Sequence, residues 1–132
     1  MSSDLNCANA QHFLGELYYD CNYNPHDIPR SIYYLPLAAE KKLPDSCHLL
    51  DIIYLKKRYN YFNVQKAIDY LTQAVNYNDR KAQFKMGLLY YYGKFVPFNI
   101  TKSIHYFKLA ANQYEANALF YLGYKLCFLI FV

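Results

Sequence analysis

Apolar and small residues recur along this chain in two alternating patterns, each with the spacing of one helix face. The first sets a small residue, an apolar residue four positions on, a glycine directly after it and a tyrosine three further. Ala10-Leu14-Gly15-Tyr18 and Ala82-Met86-Gly87-Tyr90 both follow it. The second sets a small residue before isoleucine, then a tyrosine, then a small pair. Ser31-Ile32 with Tyr34 and Ala38-Ala39 is one case, and Ser103-Ile104 with Tyr106 and Ala110-Ala111 is another. Occupied positions at i, i+3, i+4 and i+7 line one side of a 3.6-residue helix. Helices are therefore predicted near 8–20, 45–57, 80–92 and 116–130 for the first pattern (helix A) and near 28–41, 64–77 and 100–113 for the second (helix B).

Both patterns repeat at one offset. Ala10, Ser46, Ala82 and Ala118 stand 36 positions apart, as do Gly15, Asp51, Gly87 and Gly123. A fixed period of this size marks an array of stacked supersecondary units. The expected fold is all-α: a right-handed α-α superhelix (solenoid) of about three and a half 36-residue helix-pair repeats. One domain over 1–132 is expected, with repeats near 8–43, 44–79 and 80–115 and a partial one at 116–132. Asp27, Asn63 and Asn99 share the same offset and precede each helix B, where they suit N-caps. Pro29 falls in a first helical turn, Pro44 separates two helices, and Gly93 suits a left-handed C-cap. The helix-interior glycines call for a close helix A–helix B approach, with each glycine expected to face the small pair of helix B.

The order Ala-x3-Leu-Gly-x2-Tyr-x2-Gly, a short loop, then Asp/Asn-x2-Lys-Ala/Ser-x2-Tyr-x3-Ala-Ala resembles the Sel-1-like repeat, a relative of the tetratricopeptide repeat. The third unit carries the likeness best, through Ala82, Met86, Gly87, Tyr90, Gly93, Val96, Asn99, Lys102, Tyr106, Ala110 and Ala111. Asp51 departs from it by replacing a packing glycine, which should loosen that contact or send a carboxylate to the interface edge. Pro36 departs from it too and should kink its helix. The resemblance implies a non-catalytic protein–protein interaction module, an adaptor or scaffold that holds a peptide or partner helix against a concave wall of A helices. The residues on that wall, opposite the packing stripe, are His12, Glu16 and Tyr19, then His48, Ile52 and Leu55, then Phe84, Leu88 and Tyr91, then Phe120, Tyr124 and Cys127. Tyr19 and Tyr91 suit interface anchoring best. The same side chains also suit packing of one helix A on the next.

Composition changes this picture little. The 132 residues carry a net charge of +4, and the densest basic run, Lys56-Lys57-Arg58, reads as a solvated helix end. No signal peptide and no membrane-length apolar run is visible, which points to an intracellular, cytoplasmic protein. The apolar stretch Phe128–Val132 is expected to fold back, to meet a partner in end-to-end association, or to continue into a longer array. Cys7, Cys21, Cys47 and Cys127 do not recur at the repeat offset, so reduced thiols are expected. Asn99-Ile100-Thr101 spells a glycosylation sequon, although Asn99 is better explained as a cap. His12 and His48 share an offset, yet Cys47 and His48 point about 100° apart on a helix, so no metal is expected. Nor is a cofactor: no phosphate loop, nucleophile elbow or HExxH motif is present. An RNA-binding helical repeat and an exported cysteine-rich, hydrolase-like relative are the alternatives. The first would need basic residues along the groove wall, where none stand.

Overall fold

The computed structural model describes residues 2–20 and 27–126. Seven α-helices stand among them: α1 (Ser2–Tyr19), α2 (Ile28–Glu40), α3 (Pro44–Leu55), α4 (Val64–Asn76), α5 (Arg80–Tyr92), α6 (Ile100–Asn112) and α7 (Ala116–Phe120). A 3₁₀ turn at Lys57–Tyr59 follows α3, and a π turn at Tyr121–Lys125 continues α7. The chain forms two compact units, Met1–Tyr77 and Asn78–Val132. In the first, α1 packs on α2, α2 on α3 and α3 on α4, with α1 also touching α3. In the second, α5 packs on α6, and α6 on α7 and the π turn.

The joints are built alike. Asp27, Asn63 and Asn99 accept hydrogen bonds from the backbone N–H of Arg30, Lys66 and Lys102 at 3.1, 3.1 and 3.0 Å. Each cap also donates its own N–H to the carbonyl of a helix A tyrosine, Tyr18, Tyr54 or Tyr90, at 2.9, 2.9 and 3.0 Å. Gly93 closes α5 at φ +62°, with the Phe98 backbone so near that a side chain would not fit. Between each helix B and the next helix A, Lys42, Asn78 and Tyr114 adopt φ of 65°, 61° and 61°. That left-handed turn repeats at the same offset as everything else, although only Asn is a residue that tolerates it readily.

The packing glycines are placed by larger partners than expected. A Cβ on Gly15 would lie 2.5 Å from the Leu35 side chain, and one on Gly87 would lie 2.6 Å from the Phe107 ring. These glycines thus face the large residue of helix B and not its small pair, because the large residue completes the core between the two axes. The small serines before it do something else. Ser31 and Ser103 donate their buried hydroxyls to the carbonyls of Gly15 and Gly87 at 2.8 and 2.9 Å. Because glycine lacks a Cβ, the two helices approach closely enough for that bond.

Other boundaries also shift. Helix α1 begins at Ser2, since no breaker precedes residue 8. Pro44 opens α3 at its first position, where its fixed φ fits and its absent N–H is not missed. Pro36 does not break α2, which runs through it. Asp51 is buried at 4 % exposure and does not lie at an interface edge. The last helix A is α-helical only to Phe120. Its π turn brings Tyr121 and Leu126, five residues apart, to the Phe107–Ala110–Ala118 core, where an α-helix would splay them. The expected continuation over 127–130 lies outside the described residues.

Candidate functional site

Three tyrosine pairs join each helix A to its helix B. Tyr18–Tyr34, Tyr54–Tyr70 and Tyr90–Tyr106 stack with centroids 6.0, 6.1 and 6.1 Å apart and ring planes within 9°. Over each first ring lies a cation from the N-terminal turn of helix B: Arg30, Lys66 or Lys102, at 5.3, 5.4 and 5.1 Å. Each such contact is worth about 0.5–1 kcal/mol at an exposed site. Burial raises the Tyr54 and Tyr70 hydroxyls above their ordinary pKa. These tyrosines and cations are therefore framework.

The predicted wall residues divide between the two units. In the first, His12 bonds Ser46 Oγ through Nδ1 at 2.9 Å and approaches Glu16 at 3.8 Å. Glu16 is exposed, Ile52 and Leu55 are half-buried, and His48 is buried. His48, expected on the groove wall, is instead turned inward by α3 and offers a partner little surface. The Tyr19 ring meets Tyr59 edge-on at 6.1 Å, and its hydroxyl accepts from Lys56 Nζ at 3.3 Å. Burial, then the Tyr59 hydrogen bond, raises its pKa. Beside these, Phe13, Glu16, Leu17 and Asp20 line a shallow depression on α1.

In the second unit, Phe84, Leu88 and Tyr91 are half-buried against the core around Phe107. Phe84 lies 5.6 Å from the Phe107 ring, and Tyr91 lies 5.4 Å from Tyr121. Leu88 also reaches a shallow apolar depression with Leu89, Tyr92, Lys94 and Phe95. Phe120 and Tyr124 stack on each other at 5.2 Å and are exposed. Cys127 lies outside the described residues, as do Cys21 and the apolar C-terminal stretch assigned to end-to-end association. Cys7 is an exposed thiol and Cys47 a buried one.

Sequence reasoning missed Phe13 and Tyr92, which are 62 % and 63 % exposed. Neither shares residue type with its counterparts in the other repeats, so periodicity carried no signal for them. Among the described residues no group of three His, Cys, Asp or Glu side chains could hold a metal. No helix among them is long and apolar enough to cross a membrane.

The Sel1 repeat model matches residues 8–43, 57–76 and 80–114. The chain belongs to the Sel1 repeat family. The gap in this match covers α3, the helix in which Asp51 stands for the packing glycine. Three solved structures share the Sel1 fold, each at 22 % identity. A protective antigen of uropathogenic Escherichia coli strains aligns with TM-score 0.79 over 89 % of this chain and 25 % of its own. This Sel1 chain thus spans a quarter of that protein's length. A Sel1 repeat protein from Oxalobacter formigenes aligns at 0.75 over 92 % and 93 %. Helicobacter pylori cysteine rich protein B aligns at 0.69 over 89 % and 88 %. No curated protein matches. Sel1 repeats are generally non-catalytic scaffolds for protein interaction.

Proposed function

We propose that this Sel1 chain is a non-catalytic adaptor that holds a peptide or helix of another protein on the A helices of its repeats, with repeats near 8–43, 44–79, 80–115 and a partial one after. In the first unit the contact face centres on Glu16, with His12, Tyr19, Ile52 and Leu55 beside it. In the second it centres on Leu88, with Phe84 and Tyr91 at its inner edge. The observation that carries this reading is the contrast between constant framework and changing face. The caps, tyrosine pairs and cations recur in each of the three complete repeats. The outward positions of helix A do not: Phe13, Leu49 and Lys85 share one position, and Glu16, Ile52 and Leu88 share another. A fixed scaffold bearing a variable surface suits recognition better than chemistry.

The test is capture of partners on the immobilised chain, comparing it with a Phe13→Ala/Glu16→Lys variant and with a Lys108→Glu control on the outward face of α6. Partners held by the intact chain and the control should be reduced about tenfold or more on the α1 variant, with helical circular dichroism unchanged. Equal capture by all three proteins would refute the assignment of the face.

A further inference from the structure

The basic run Lys56-Lys57-Arg58 is solvated, as its sequence suggests, but it lies just past the helix and not in its last turn. Helix α3 stops at Leu55, and the run continues through an extended Lys56 into the 3₁₀ turn. All three side chains are exposed. Each lies over an aromatic ring. Lys56 Nζ is 5.8 Å and Arg58 Cζ 4.9 Å from the Tyr59 ring centre, and Lys57 Nζ is 5.2 Å from that of Phe62. Arg58 also donates to the Tyr59 hydroxyl at 2.7 Å. Burial pushes that hydroxyl up. The hydrogen bonds from Arg58 and Tyr19 and the Lys56 and Arg58 charges outweigh it, and the Tyr59 pKa falls below its ordinary value. The turn is thus a concentrated positive field over a held aromatic floor, with Tyr61 and Phe62 exposed alongside.

Only part of this feature follows the repeat: Arg58 over Tyr59 has a third-repeat counterpart in Lys94 over Phe95, whereas Lys56 and Lys57 have no basic counterpart. Arg30, Lys66 and Lys102 recur because they cover framework tyrosines. The counterparts of Lys56 are Asp20 and Tyr92, and that of Lys57 in the third repeat is Gly93. A basic cluster confined to one joint is not required by the fold. Long cationic side chains lose rotamer freedom when they dock an anion. Rings that already restrict their charged ends reduce that loss.

We propose that the turn over residues 56–62 is a docking surface for an acidic peptide segment of a partner protein, with Lys56, Lys57 and Arg58 pairing its carboxylates and Tyr59 and Phe62 receiving its apolar side chains. An acidic peptide fits better than a nucleic acid. Three cations at one turn match a short run of carboxylates, whereas a polynucleotide needs phosphate contacts extended along a face. This surface adjoins the α1 face at Tyr19, which bonds Lys56 and meets the Tyr59 ring, but its test uses different variants, so either reading can fail alone.

The probe is a fluorescein-labelled Asp-Glu-Phe-Asp-Glu-Leu-Asp-Glu peptide, followed by anisotropy against the intact chain. Saturable binding is expected at low salt, weakening as salt rises to about 0.15 M. Lys57→Gln/Arg58→Gln should weaken it about tenfold or more, with circular dichroism unchanged. Lys81→Gln/Lys108→Gln removes the same charge elsewhere and should leave binding intact. No saturable binding, or equal loss in both doubles, overturns the proposal. So does tighter binding of an oligouridine that the turn variant abolishes, since the surface would then read nucleic acid. If the turn double loses helix, Lys57→Gln alone decides by the same criteria.

Discussion

At the scale of single residues, hydroxyl groups do much of the joining. Ser31 and Ser103 hold the glycine carbonyls of α1 and α5, and the phenols of Tyr92 and Tyr121 meet at 2.8 Å. That last bond, then burial, then the neighbouring Tyr92 and Tyr91 phenols push the Tyr121 pKa up to about 12. The folded chain therefore keeps a proton that the unfolded chain gives up near its ordinary value of 10.0. The stability from this site is complete below pH 10, and it is lost as pH rises through the window between those two values. Tyr92→Phe removes the main cause and should narrow the window. Urea midpoints measured across that pH range should fall less steeply for Tyr92→Phe than for the intact chain. Parallel slopes would show that the bond does not matter.

At the scale of helices, the contact that decides the pairing is glycine against a large side chain. Gly87→Ala would drive a methyl group to 2.6 Å from the Phe107 ring, which is fully buried and held by Phe84 and Tyr121. Overpacking of this kind costs about 1–3 kcal/mol. A Cβ at Gly123 meets nothing within 4 Å, so Gly123→Ala should cost nothing by this route. Chemical denaturation of the two variants side by side checks the contrast. Equal midpoints would mean that α5 and α6 are not locked together by this contact.

At the scale of the molecule, the seven helices and the N-caps of the three B helices were legible in the sequence because periodicity and side-chain capping are local properties. The third repeat was read almost to the residue, from Arg80 to Asn112. What escaped reading depended on contacts between helices. The sequence could not show that Gly15 and Gly87 face Leu35 and Phe107, since the partner is fixed by the angle at which two helices meet. Nor could it show that His48 and Asp51 turn inward on α3, or that α7 widens at Tyr121 to seat Leu126. The left-handed turns at Lys42 and Tyr114 carried no residue signal at all. The exposure of Phe13 and Tyr92 on helix A was not legible either. A position that varies freely between repeats leaves no trace in a periodic pattern.

The chain holds seventeen tyrosines and no tryptophan, so its near-ultraviolet optics belong to phenol rings. Three of its ring pairs lie nearly parallel at one separation. Coupled chromophores so arranged form an optical gauge, distributed one to each helical hairpin, that reads whether that hairpin is closed without any added label. Exchanging Tyr34, Tyr70 or Tyr106 for phenylalanine would silence one gauge and leave the other two in place.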